Sequence, residues 1–293
     1  MSGAGADERL QRATYTDLAR AVLTREYLVF VRYPANAVGG IVVALFFFGL
    51  IFYGGEMVAG QALTDSIEGI VVGYFLWTLA VGAYASTANG IQSEVQWGTL
   101  ERHFLTPFGF GPVALAKGVA TLVRTFLTST LILVVMLVAT GTSLQIPVLT
   151  VVVVATLAVT SVLGLGFAAG GVAVLYKRIG SWLNLLQFGL VLLVSAPAFD
   201  LPGLQFLPLA LGSAMLQRAM VNGTRLWEFA PLELVILVCV AGGYLALGYA
   251  VFTVTTRRAR RPARSVGVPP GFRPSVLSVI GPPQGRFSPS SDP

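Results

Sequence analysis

Long apolar runs without a single charge, separated by short polar breaks, set the pattern of this chain. A helix needs about 20 apolar residues to cross roughly 30 Å of hydrocarbon. Tyr33 to Gly55 and Gly69 to Ser93 carry no charge and predict helices over about 35–53 and 69–93. Thr125 to Tyr176 is also uncharged but too long for one helix, and the turn-like cluster Thr140-Gly141-Thr142-Ser143-Leu144-Gln145-Ile146-Pro147 divides it. That gives spans over about 113–139 and 147–174, and further uncharged runs give spans over about 179–199 and 234–256. The expected fold is therefore an all-α integral membrane protein with six transmembrane helices.

The flanks follow other patterns. Tyr15, Leu18, Ala19 and Val22 fall at helical spacing, with Asp17, Arg20 and Arg25 off that face. Residues 14–32 thus read as an N-terminal amphipathic interface helix, ended by Pro34. Residues 1–13 are polar and read as a flexible N-terminus without a signal peptide. Residues 259–293, basic and rich in Pro and Ser, read as a disordered cytoplasmic tail, leaving 33–258 as the transmembrane domain.

Composition excludes a water-soluble fold. Only 11% of the 293 residues are charged, against about 25% in soluble domains. The net charge of +6 does not point to nucleic acid, because the cations are placed by topology. With both termini in the cytoplasm, Arg9, Arg12, Arg20, Arg25, Arg32, Arg102, Lys117, Arg124, Lys177, Arg178, Arg257 and Arg258 all lie at inner ends. Arg218 and Arg225 fall outside, with Glu56, Asp65, Glu68, Asp200, Glu228 and Glu233. Cytoplasmic loops retain Lys and Arg, so a multi-pass protein of the cell membrane is expected. The single cysteine, Cys239, allows no intrachain disulfide, and the single histidine, His103, no histidine metal site. No catalytic, cofactor-binding or metal residues emerge. No Gly-x-x-x-x-Gly-Lys-Ser/Thr loop occurs, so ATP hydrolysis by that route is not expected of this chain.

Between the second and third spans stands a polar island, Ser93-Glu94-Val95-Gln96-Trp97-Gly98-Thr99-Leu100-Glu101-Arg102-His103-Phe104-Leu105-Thr106-Pro107. Trp97, Leu100 and Phe104 are spaced three and four apart, which suits one face of a short helix. Such a helix can place its apolar face in a partner's groove while its charges fix the register. A plain polar connector is the alternative.

Glu94, then Gly98-Thr99-Leu100-Glu101, then Leu105-Thr106-Pro107, resembles the signature of ABC-2 type transporter permeases, the membrane subunits of ATP-binding-cassette exporters. Arg32-Tyr33-Pro34, Lys117, Lys177-Arg178 with Asn184-Leu185-Leu186, and Ser195-Ala196-Pro197 with Leu207-Pro208 and Arg218 match weaker family features in the same order. His103-Phe104 and Ala196 depart from its usual residues.

The resemblance implies a short cytoplasmic coupling helix that docks on a separate ATPase subunit, with Glu94, Gly98, Thr99, Leu100, Glu101 and Arg102 as the contact. It implies ATP and Mg on that partner ATPase and no cofactor in this chain. The partners would be an ABC ATPase subunit, a second copy or related permease, and membrane lipid. The substrate would be a hydrophobic or amphiphilic molecule such as a drug, lipid or glycolipid. An ion-gradient-driven secondary carrier or channel is the alternative, disfavoured by the lack of Asp or Glu inside the spans. A non-transporting scaffold is a third.

Three further features need a structure. Pro197, Pro202 and Pro208 interrupt an apolar outer stretch over 197–231, which reads as short helices dipping back into the membrane rather than as a loose loop. Gly166 and Gly170 form a Gly-x-x-x-Gly that permits close helix approach. Arg124 follows Lys117 by a heptad on one face of the third span. It reads either as a snorkelling side chain, the preferred reading, or as a contact for an anionic substrate.

Overall fold

The computed structural model describes residues 15–32, 34–59, 67–96, 110–176, 180–196 and 203–260. Every regular element among them is helical. In chain order these are α1 (Tyr15–Arg32), α2 (Pro34–Ala59), α3 (Ile67–Gln96), α4 (Phe110–Thr140), α5 (Val148–Leu175), α6 (Gly180–Ser195), α7 (Ala210–Asn222) and α8 (Pro231–Arg260). Single 3-10 turns stand at Leu204–Phe206 and Leu226–Glu228.

Four helices are long and apolar enough to cross a membrane: Ile67–Gln96, Ala116–Thr140, Val148–Leu175 and Pro231–Arg258. They mark a membrane-embedded protein. The apolar parts of α2 and α6, Val38–Gly54 and Gly180–Ser195, are shorter. The sequence placed the end of the fifth span near 199, whereas α6 stops at Ser195. Pro197 explains this, since proline disfavours helical backbone in the residue before it and has no N–H to donate. Prolines also open elements. Pro34 and Pro231 are the first residues of α2 and α8, and Pro147 caps α5. A missing N–H costs nothing in a first turn that has no intrahelical acceptor for it.

The core is built around α5, which packs most extensively on α8 and then on α3. Glycines on two sides of α5 explain both contacts. A Cβ at Gly164 would strike the Tyr244 carbonyl of α8, and one at Gly248 would strike the Gly164 carbonyl, so the two backbones touch. Gly171 meets Phe252 in the same way. On the other side, Gly166 faces Thr87 and Gly170 faces Ile91 of α3. The Gly-x-x-x-Gly is therefore used within one chain. α3 is the other central element, with Val71, Leu76, Ala80 and Ala83 fully buried.

The contacts also fix direction. Gly180 lies by Gln92 and Gly73 by Val194, so α6 runs antiparallel to α3, whereas α5 and α8 run parallel to it. Charge separates along this axis. Arg20, Arg25, Arg32, Glu94, Lys117, Arg257 and Arg258 gather toward one end, called here the basic end, and Glu68, Arg218, Arg225, Glu228 and Glu233 toward the other.

α1 packs on α4, with Val22 half-buried, but Leu23, Leu28 and Val31 are exposed beside Arg20 and Arg25. Large apolar side chains also cover the outside of the bundle, among them Phe46, Leu127, Val138, Leu192 and Leu232. Lipid solvates such a surface and water does not.

The apolar stretch after α6 holds a short helix, not a loose loop. α7 buries Leu211, Met215, Leu216, Ala219 and Met220 against α5, α3 and α6. Ser213 Oγ donates to the Val194 carbonyl at 2.7 Å, and Gln145 N–H donates to the Met220 carbonyl at 3.0 Å. Arg218 pairs with Glu233 at 2.9 Å and lies over the Phe229 ring. Its first turn begins at buried Leu209, whose φ of 70° is unusual for a residue with a Cβ.

Candidate functional site

Polar groups converge at the basic end, in a cavity of about 310 Å³ between α1, α3, α4 and α5. Two antiparallel helices supply most of its wall. α3 brings Ser86, Thr87, Gly90 and Glu94, and α4 brings Lys117, Thr121 and Arg124. Spacing explains the alignment, because Lys117 and Arg124, seven residues apart, return to nearly the same face of a helix. Arg25 reaches the cavity from α1, and Phe167 closes it from α5.

Lys117 Nζ donates to Glu94 Oε1 at 2.5 Å, with both side chains about three-quarters shielded from solvent. This ion pair ties the last turn of α3, from which the polar island departs, to α4. About two helical turns deeper, Arg124 Nη2 donates to Ser86 Oγ at 2.6 Å. The guanidinium is thus turned across the bundle toward α3. The snorkelling preferred from sequence gives way to a cavity-lining position.

Arg124 and Ser86 line a second cavity as well, of about 450 Å³, bounded by α2, α3, α4 and α6. Its wall is largely apolar, with Val43, Phe47, Trp77, Val81, Ile132 and Phe188. Several of its hydroxyls are already satisfied along their own helices. Thr128 donates to the Arg124 carbonyl at 3.0 Å and Thr78 to the Phe75 carbonyl at 2.8 Å. Tyr74 Oη donates to the Ala44 carbonyl and holds α2 against α3 beside this chamber. A polar vestibule and an apolar chamber therefore share one charged corner.

Of the residues expected to contact an ATPase, Glu94 stands at the vestibule. Gly98, Thr99, Leu100, Glu101 and Arg102 lie outside the described residues, as do His103 and the rest of the island from Trp97 on. Sequence reasoning did not find Ser86, Arg25, Trp77 or Phe188. The one available signal was the polar run Ser86-Thr87-Ala88-Asn89 in an otherwise apolar span. The ring of apolar residues around the chamber has no signal, because each is ordinary in a membrane helix.

No known family's sequence profile matches the chain, and no curated protein is significantly similar to it.

Proposed function

We propose that this chain is the membrane subunit of an ATP-driven exporter of the ABC-2 type, crossing the bilayer six times with both termini in the cytoplasm. The observation that carries the reading is the island that follows Glu94, with its Gly98-Thr99-Leu100-Glu101 and Leu105-Thr106-Pro107. The position of Glu94 supports it. A force applied to the island would reach α3 directly and α4 through the Glu94–Lys117 pair. It would thus act on the two helices that wall both cavities.

In this reading α2 and α6 are the short first and fifth spans, and α1 lies along the inner membrane surface. A second copy or a related permease completes the path, and ATP and Mg reside on the separate ATPase. Binding of ATP would close the ATPases, and the motion would switch the path from inward- to outward-facing. The largely apolar wall of the chamber suits a hydrophobic or amphiphilic substrate.

The test is co-purification of the tagged full chain from its own cells in mild detergent, with mass spectrometry of what accompanies it. A soluble ATPase carrying a phosphate-cradling loop is expected with the native chain. It is expected to be lost with Glu101→Arg while the chain still inserts. Recovery of the intact chain without any ATPase, under conditions that hold control complexes together, would turn the reading to a gradient-driven carrier.

A further inference from the structure

The corner shared by the two cavities has a chemistry of its own. Arg124 stands eight residues beyond Ala116, the start of the apolar part of α4, or about 12 Å along the axis at 1.5 Å per residue. That 25-residue stretch is about 36 Å long, only slightly more than the ~30 Å hydrocarbon layer. Centred on the hydrocarbon, this stretch puts the Arg124 Cα about 9 Å inside its edge. A cation at such depth is expensive, and one facing a cavity there marks a functional position.

The two cavities differ in kind on either side of it. Toward the basic end, the described side chains lining the vestibule include three cations, Arg25, Lys117 and Arg124, and one carboxylate, Glu94. Toward the middle of the bundle the chamber is largely apolar, its polar side chains being hydroxyls and Gln187, with no charge beyond Arg124 among the described residues. A molecule that fits both has an anionic head and a hydrocarbon tail. Arginine suits the head, because a guanidinium carries five N–H donors in a planar fork. One of these donors goes to Ser86 Oγ. The volume suits one chain: about 450 Å³ holds roughly fifteen methylenes if each occupies ~30 Å³, the liquid volume of about one water.

We propose that Arg124, with Ser86, binds the head of an anionic amphiphile carrying a phosphate or similar oxyanion, whose alkyl chain lies in the chamber beside Trp77 and Phe188. This narrows the substrate class of the exporter reading and rests on it for transport. Binding is read without ATP or an ATPase, so the two can fail separately.

The full chain in lipid nanodiscs is titrated with dodecyl phosphate and with dodecyltrimethylammonium, both brominated at the chain end to quench tryptophan fluorescence. The phosphate is expected to bind at least tenfold more tightly than the ammonium. The preference should fall to near unity in Arg124→Gln and persist in Arg124→Lys. Quenching should be reduced in Trp77→Phe, the exposed Trp182 and Trp227 contributing to what remains, and inorganic phosphate alone should not compete at equal concentration. The ratio of two ligands on one protein guards against a variant that is merely less well folded. Equal affinity for the two heads, an unchanged ratio in Arg124→Gln, or undiminished quenching in Trp77→Phe would each overturn the proposal.

Discussion

Single atoms decide how close the central helices come. At Gly164 and Gly248 the two backbones of α5 and α8 occupy the space a Cβ would need, and each glycine faces the other's turn. A methyl group there has no flexible side chain to push aside, so one helix must move. Overpacking of a core costs typically 1–3 kcal/mol, with about 3 expected where the obstacle is backbone. Gly242 and Gly243, on the same helix α8, have open space where a Cβ would stand. There alanine relieves the helix of a glycine, worth roughly 0.5–1 kcal/mol. Gly248→Ala is therefore expected to lower the thermal midpoint of the detergent-solubilised protein by several degrees, and Gly243→Ala to hold or raise it. Equal midpoints for the two variants would show that α5 and α8 do not touch through these residues. The sequence could not separate these glycines. Composition makes glycine ordinary in a membrane helix, and which one meets a neighbour depends on helix rotation, which no run of apolar residues encodes. The same limit applied to Gly166 and Gly170, whose spacing permits a close approach without telling that α3 of the same chain makes it.

At the scale of elements, charge-free length was a good guide and local punctuation a better one. α3, α4, α5 and α8 stand where uncharged runs placed them; α3, α4 and α8 run on by a few residues into their polar ends, while α5 keeps to the expected limits within one residue. α6 was overextended because its apolar residues run on to Phe199 while its backbone cannot pass Pro197. α7 was legible only as an oddity, an apolar stretch too broken to span. Its packing gives a definite expectation. Leu216 is completely buried between α7 and the bundle, and truncating a buried leucine costs about 2–5 kcal/mol. Leu216→Ala should lower the midpoint clearly and speed cleavage by an added protease in the stretch before α7. Leu226, at the exposed 3-10 turn after it, is only half-buried, and Leu226→Ala should have the smaller effect. If the two were alike, α7 would be held by its termini rather than by its apolar face. The cavities were the least legible elements of all. Lys117 and Arg124 shared a face by spacing alone, but Ser86 met Arg124 only because α3 and α4 run antiparallel at a register fixed by Gly82 packing on Thr125.

For the whole molecule, the separation of charge along the bundle sets its direction in a membrane. Translocating Lys and Arg is disfavoured, so the end with Arg20, Arg25, Arg32, Lys117, Arg257 and Arg258 is expected in the cytoplasm. The other end has its two described cations engaged: Arg218 with Glu233 and Phe229, and Arg225 over Trp227. The backbone N–H of Arg225 donates to Glu228 Oε2 at 2.9 Å. Two described cations at that end, against the six named at the basic end, set the topological signal. The single cysteine makes the direction measurable. Cys239 lies in the apolar part of α8, and Cys239→Ser gives a background for single cysteines placed at the two ends. Asn222 and Arg257 are both exposed, one at the last residue of α7 and one near the end of α8. In intact cells a membrane-impermeant maleimide is expected to label Asn222→Cys and to spare Arg257→Cys until the membrane is opened. Such a result puts Glu94, the vestibule and the island on the side where ATP is available. The reverse labelling would place them outside, and neither a cytoplasmic ATPase nor an inward-opening vestibule at Arg124 could then be retained.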